Sequence, residues 1–289
     1  MKTLEEILPR RAAIVGCGDI GLRVAQRLRA LGGEVTAIVR SLPAAQALHA
    51  QGLAVQQADL DAQAPPLDTP LLFWFAPPPA GGEQDTRLRR WLATRPALRR
   101  LVYISTSGVY GDCGGRWIDE DEAPRPVSAR ARRRLDAETV LGEYAAASGA
   151  EVVILRVPGI YGPGRLPRER LAQGLPVVRE AESPCTNRIH AEDLAQAALH
   201  AAAWGRPGAA YNVADGNPTT MCDYFTRCAV LLGLPPPPQV SLEEAKQVFT
   251  PAMWSFMEES KRLRTDRLRE ELHFMPSYPD LAAGLPSCL

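Results

Sequence analysis

Apolar residues in this chain come in short blocks separated by amphipathic stretches. Ala12 to Val15 is apolar and short enough for a buried strand, and Val35 to Val39 is a second such block. Between them Ile20, Val24, Leu28 and Leu31 recur at helical spacing, with Arg23, Arg27 and Arg29 interleaved, until Gly32 and Gly33 end the run. The alternation continues with a helix over Pro43 to Ala50 and a third strand, Leu53 to Val55, ending near Asp59 and Leu60. Leu71 to Phe75 is so uniformly apolar that it reads as a central strand buried on both faces. A helix over Glu83 to Ala93, a strand over Arg99 to Ile104, a charged helix over Ser128 to Ala147 and a strand over Glu151 to Leu155 follow. Strands and helices in this order predict an α/β fold with a doubly wound parallel sheet.

Arg156 to Gly164 is too rich in Gly and Pro for regular structure. It divides the chain into residues 1–156, which carry the sheet, and 157–289, a smaller part from which some segments return to it. That part holds a helix near Arg168 to Gln173, the segment Asn187 to Leu194 and an Ala-rich helix. A strand over Ala210 to Val213, a helix near Met221 to Leu232, the breaker Pro235 to Pro238 and a polar helical region ending around Leu272 complete it.

The first strand meets Gly16, Gly18 and Gly21, spaced as GxGxxG, where the first long helix starts. Such a turn leaves unpaired N–H groups at a helix start, where the macrodipole also favours negative charge, so a pyrophosphate fits there. The glycines permit the tight turn and the close approach, and Cys17, Asp19 and Ile20 between them would adjoin the phosphates. Cys17 reads as a small side chain filling the turn, with a redox-sensitive thiol as the alternative. Nineteen residues past Gly21 stands Arg40, followed by Ser41, where NAD-specific folds usually carry an acidic residue for the ribose hydroxyls. A guanidinium there suits a 2′-phosphate, so NADP is preferred over NAD, with a solvated strand-end charge as the other reading of Arg40.

At 289 residues and zero formal net charge, the chain can bury a sizeable core and favours neither nucleic acid nor an anionic membrane as partner. No apolar run is long enough to span a bilayer and the N-terminal residues lack the apolar core of a signal peptide, so a cytoplasmic location is expected. The six cysteines form no CxxC pair and sit in no His-rich neighbourhood; they read as free thiols, with no metal site. A small-molecule substrate is the expected partner, and a homodimer stays open as an assembly.

With these segments placed, the chain resembles the short-chain dehydrogenase/reductase superfamily, in its extended, NAD-dependent epimerase/dehydratase-like branch. The resemblance spans nearly the whole length. It rests on the glycine turn at Gly16 to Gly21, Asp59-Leu60, the run Ser105 to Gly111, the run Arg156 to Gly164 and the segment Asn187 to Ala195. It implies a Rossmann-type sheet with a smaller C-terminal substrate-binding part, and an oxidoreductase or epimerase-like activity on a small hydroxyl- or carbonyl-bearing molecule, a sugar nucleotide being one candidate. By the resemblance Asp59 and Leu60 lie near the adenine, Ala76, Pro77 and Pro78 near the ribose and nicotinamide, and Ser105 with the cofactor. Thr106 takes the position of the hydroxyl that bonds the substrate. Pro158 and Gly159 face the nicotinamide, and Tyr161 and Arg188 line the substrate side, unless Arg188 pairs with Glu192 or Asp193 on its own segment.

The pattern breaks where catalysis is expected. The superfamily uses a Tyr and a Lys four residues on, so that the ammonium lowers the phenol pKa during proton relay. Counting back from Glu138, those positions are Arg130 and Arg134. The chain therefore looks like the atypical members that keep the nucleotide site without the usual pair. Three explanations stay open. A substitute acid, with Tyr110 nearest to Thr106 in sequence and Tyr161 and His190 further off, could replace the phenol. The arginines could bind an anionic group or form a solvated helix face, the face being favoured because four arginines in five positions cannot all point at one cleft. Finally, the protein could be a non-catalytic NADP(H)-binding sensor.

Overall fold

A computed structural model describes residues 2–94 and 97–289. Seven parallel strands form the central sheet: β1 (Arg11–Val15), β2 (Glu34–Val39), β3 (Ala54–Gln57), β4 (Leu71–Trp74), β5 (Arg100–Thr106), β6 (Glu151–Val157) and β7 (Ala210–Asn212). Their spatial order is β3-β2-β1-β4-β5-β6-β7. Parallel neighbours need crossover connections, and here the flanking helices α1 (Asp19–Ala30), α2 (Leu42–Ala50), α3 (Thr86–Leu92), α4 (Ala129–Ser148) and α5 (Ala191–Trp204) supply them. The order reverses between β1 and β4, whose registers match Ala12 with Leu71 and Val15 with Trp74. The crevice off the carboxyl ends of those two strands is where such sheets bind ligands.

Alternation along the strands divides the core into two layers. Ile14, Phe73, Val102 and Leu155 face α1 and α5 through Val24, Leu28, Leu194 and Ala198. Val15, Leu72, Trp74, Tyr103 and Ile154 face α3 and α4 through Leu88, Trp91, Ala137 and Leu141. Each fully buried side chain of this size contributes about 1.5–3 kcal/mol, which is why a chain with such unbroken apolar strands is covered on both faces. A separate cluster of C-terminal residues, including Leu171, Val177, Phe225, Ala245 and Leu285, sits off the carboxyl edge.

The sequence-based boundaries shift in three places. The helix expected over Glu83 to Ala93 starts at Thr86, because the Asp85 side chain accepts from the Leu88 N–H and caps it there. The Gly- and Pro-rich run after Arg156 is ordered: β6 continues to Val157, and Gly159–Tyr161 pairs in parallel with Arg188–His190. The polar region before Leu272 is several short pieces, among them Leu242–Val248, Pro251–Trp254 and Asp266–Glu270.

The segment Asn187 to Ala195 ties the two ends of the chain together. His190 accepts from the Glu192 N–H and caps α5, Glu192 pairs with Arg23 and Arg27 of α1, and the 2% exposed Asp193 accepts from the N–H groups of Ser277 and Tyr278, both at 2.9 Å. Replacing Asp193 by Ala strands two N–H donors, so urea denaturation of Asp193→Ala is expected to show about 2–4 kcal/mol lower stability.

Candidate active site

The glycine turn after β1 depends on a missing side chain. Gly16 has φ +82°, and a Cβ there would stand 2.4 Å from the Ala76 backbone nitrogen, so the turn lies directly on the chain leaving β4. Gly21 is confined less severely, with a Cβ meeting Ile14 Cγ2 at 3.1 Å, whereas nothing lies within 4 Å of a Cβ on Gly18. Gly18 is the N-cap of α1 and offers no side-chain hydrogen bond to its first N–H groups, while α2, α3, α4 and α5 are capped by Ser41, Asp85, Ser128 and His190. An uncapped helix start under open space fits a dinucleotide pyrophosphate. Burial pushes the Cys17 thiol up to about 11, which suits a filler of the turn and not a reactive thiolate.

Around this turn, Arg40 is exposed just past β2, and Ser41 is committed to capping α2. Asp59 accepts from the Asp61 N–H, Asp61 pairs with Arg87, and Arg87 also donates to the Pro77 carbonyl at 3.0 Å. The loop that would flank an adenine is thereby braced against the loop that leaves β4.

Beyond Pro77 and Pro78 opens a cavity of about 710 Å3. Ser105, Thr106, Pro158, Gly159 and Arg188 line it, as do Met221, Tyr224, Phe225, Met253 and Phe256 from the C-terminal part. Thr106 ends β5, and its Oγ1 accepts from the Gly108 N–H at 3.2 Å, which leaves its own O–H free to donate into the cavity. Ser105 is turned inward and donates to Glu138, itself paired with Arg156 at 2.8 Å.

The arginines of α4 are only in part a solvated face. Arg133 is buried and Arg134 half-buried against the cavity, Arg130 lines it but is exposed, and Arg132 turns outward to Glu83. Arg134 donates to the Ile104 carbonyl at 2.6 Å and the Tyr103 hydroxyl at 3.0 Å, Arg133 donates to the Gly82 carbonyl at 2.7 Å, and Arg130 lies 4.5 Å over the Phe256 ring. Helical spacing places positions 130, 134, 137 and 141 on one side, and Ala137 and Leu141 are core residues, a signal present in the sequence.

None of the three substitute acids reaches the cavity. Tyr110 is 1% exposed, donates to Asn212 at 2.8 Å and accepts from Arg156, inside the same network as Glu138. Tyr161, expected on the substrate side, is buried and donates to the Asp280 carbonyl. Tyr161 closes the short strand Gly159–Tyr161 and Tyr110 closes the 3-10 turn Ser107–Tyr110, and both rings are buried in the core. His190 is occupied at both nitrogens, by the Glu192 N–H and Ser287 Oγ. The residues that sequence reasoning missed are Lys261, held by the Gly111 carbonyl at 2.6 Å and Glu259 at 2.7 Å, with Met253 and Phe256 from segments without periodicity, and Met221, Tyr224 and Phe225 from the helix Met221–Leu231, which the sequence predicts without a role.

Arg188 does line the cavity, and it pairs with neither Glu192 nor Asp193. Its guanidinium lies against Gly159, where a Cβ would fall 2.3 Å from Nη1, and 4.1 Å over the Tyr224 ring. Burial pushes its pKa below the usual arginine value. Asp215, whose field also reaches Arg188, is 2% exposed, and burial raises its carboxyl to about 7.

A parallel sheet of this strand order, with an uncapped helix behind a glycine turn, defines an NAD(P)-binding Rossmann protein. The profile of the NAD dependent epimerase/dehydratase family matches residues 84–214, and that of ketopantoate reductase PanE/ApbA matches residues 12–71. A solved structure of a functionally unknown conserved protein from Silicibacter pomeroyi DSS superposes with a TM-score of 0.84 at 32% identity, covering 96% of this chain and 97% of that one. Protein YeeZ of Escherichia coli K12 is 27% identical, covering 94% of this chain and 97% of YeeZ. The 3-diazoavenalumate denitrifying reductase of a Streptomyces species is 28% identical, covering 95% and 99%. The chain belongs to the extended, NAD-dependent epimerase/dehydratase-like branch of the short-chain dehydrogenase/reductase superfamily.

The two glycines at the helix start separate folding from binding. Gly16→Ala is expected to lose at least about 2 kcal/mol of stability through backbone clash and left-handed strain. Gly18→Ala should melt with wild type while losing nucleotide affinity, as read by calorimetric titration, because its methyl enters only open space.

Proposed function

We propose that the protein is an NADP-dependent oxidoreductase that acts on a small hydroxyl- or carbonyl-bearing substrate held at Thr106. The observation that carries this reading is the cavity itself, which brings the free Thr106 hydroxyl together with Pro158, Gly159 and the Pro77 loop off the carboxyl ends of β4, β5 and β6. NADP(H) supplies or accepts the hydride when bound. Thr106 donates to the substrate oxygen and passes it a proton drawn from solvent when a carbonyl is reduced. Arg134 sets a fixed positive charge beside that oxygen without exchanging protons itself.

Simple reduction or oxidation is favoured over epimerisation or dehydration. Dehydration needs a protein base at a substrate carbon, and the carboxylate that lines the cavity, Glu259, is engaged by Lys261; epimerisation needs room for a ketone intermediate to turn its other face to the nicotinamide, which a small substrate anchored at Thr106 does not use. The Streptomyces relative is, by its name, a reductase, which agrees with this choice. NADP is preferred because Arg40 stands exposed past β2, with no ion pair among the described residues, where a 2′-phosphate would be read. The smaller part from about residue 157 onward forms the substrate wall. A cytoplasmic enzyme fits this reading, and no helix among the described residues is long and apolar enough to cross a membrane.

Two substitutions test the reading. Thr106→Val should lower kcat by about 10²–10³-fold, as for loss of one donor to a reacting oxygen, with nucleotide affinity unchanged by titration. Arg40→Ala should shift the NADP-to-NAD affinity ratio by about 10- to 150-fold, the equivalent of about 1.5–3 kcal/mol for a charged hydrogen bond. A wild-type chain that binds NADPH yet oxidises it with no member of a carbonyl panel is a nucleotide-responsive regulator instead.

A further inference from the structure

Six cations line the cavity, Arg130, Arg133, Arg134, Arg165, Arg188 and Lys261, against one acid, Glu259. Most of them are answered within the chain. Arg134 and Arg133 donate to backbone carbonyls, Arg165 pairs with Asp19 at 2.6 Å, and Lys261 pairs with Glu259. Arg188 is different. It is 7% exposed, and among the described residues no carboxylate lies within ion-pair distance of it. Its Nε has no hydrogen-bond partner, Nη2 meets only the Met221 sulfur at 3.3 Å, and Nη1 reaches the Asn187 carbonyl at a long 3.4 Å. A buried guanidinium left in this state is costly unless a ligand completes it, since its desolvation is not offset by any strong acceptor.

The surroundings of Arg188 narrow what that ligand is. Met221, Tyr224, Phe225 and Met253 form an apolar wall. The polar side chains beside it that could read sugar hydroxyls are already engaged: Asn187 donates to the Lys261 carbonyl and accepts from the Leu263 N–H, and Thr186 donates to the Thr219 carbonyl. A nucleotide sugar would bring hydroxyls to a wall with little to receive them.

We propose that the substrate is a compact molecule with an apolar, flat body and one anionic oxygen group, a carboxylate or a phosphate, which seats on the guanidinium of Arg188. This rests on the oxidoreductase reading above and names the substrate class of the same site. The guanidinium fork presents parallel donors that match either anion. Gly159 gives it room on one side, and the Tyr224 ring holds it on the other.

The test is calorimetry on protein first saturated with NADP, titrated in turn with 4-hydroxybenzoate, phenyl phosphate, 4-hydroxybenzamide and UDP-glucose. The wild type should bind at least one of the two anions about 10-fold or more tightly than the neutral amide, as expected for a charge-assisted bond to a buried group. The better of the two says whether carboxylate or phosphate is the group read. Arg188→Met should erase the preference and Arg188→Lys keep part of it. Because the charge removed is unpaired, Arg188→Met should also melt about 2–4 °C above wild type without ligand. Equal binding of benzoate and benzamide, an anion preference that survives Arg188→Met, UDP-glucose binding tighter than either anion, or no heat from any probe at millimolar concentration would each overturn the proposal. So would a lower melting point for Arg188→Met. Absence of NADP binding in the first step would instead sink the oxidoreductase reading.

Discussion

The site exists because one residue has no side chain. Gly16 lets the turn after β1 rest on the backbone of Ala76, and that contact fixes where α1 begins relative to the strand on the far side of the switch point. Were the turn lifted by the width of a methyl group, the helix N-terminus and the Pro77 loop would no longer flank one crevice. Everything downstream uses that crevice: Thr106 is delivered to it by β5, Pro158 follows β6, and the C-terminal part closes over it. The uncapped start of α1 is the complement of this contact. A side-chain cap would satisfy the helix more cheaply, and the fold leaves it out where a ligand can take its place.

The segment Asn187 to Ala195 shows how a short motif divides its labour. Asn187 fastens the stretch around Lys261 and Leu263, His190 starts α5, Glu192 reaches α1, and Asp193 holds Ser277 and Tyr278. Apart from the local His190 cap, each of these bonds joins elements far apart in sequence, so the motif acts as a fastener for the C-terminal part. Arg188 joins in through its backbone, which pairs with Gly159 and accepts from the Asp215 N–H, while its side chain lines the cavity. Stability and recognition are therefore interleaved residue by residue along one segment.

Much of the architecture could be read directly because its signals are local. A four-residue apolar block followed by spaced glycines and a helical repeat has few alternative folds, and Leu71 to Trp74 has no polar residue to place at a surface. The pairing of Gly159–Tyr161 with Arg188–His190 was hidden because prolines and glycines erase periodicity and the partners are distant in sequence. Tyr110 and Tyr161 are illegible for another reason: proximity along the chain to Thr106 or to a loop says nothing about which way a ring faces, and here a 3-10 turn and a short strand send both into the core. The arginines of α4 were misjudged as a group although their spacing separates them, with Arg132 rotated away from Arg130 and Arg134. The far wall, including Met253, Phe256 and Lys261, belongs to short irregular pieces whose position only tertiary packing determines.

Arg134 stands at the position where the resemblance to the superfamily leads one to expect a lysine, and the guanidinium there bears on how the cavity lining responds to its medium. An ammonium at that position surrenders its charge as the solution becomes alkaline, and the field it casts fades with it. A guanidinium spreads its charge over three nitrogens in a planar fork. Pinned to the Ile104 carbonyl, it is also held in one orientation. The positive charge at this point of the cavity lining is thus held in one place and one direction, at the end of β5.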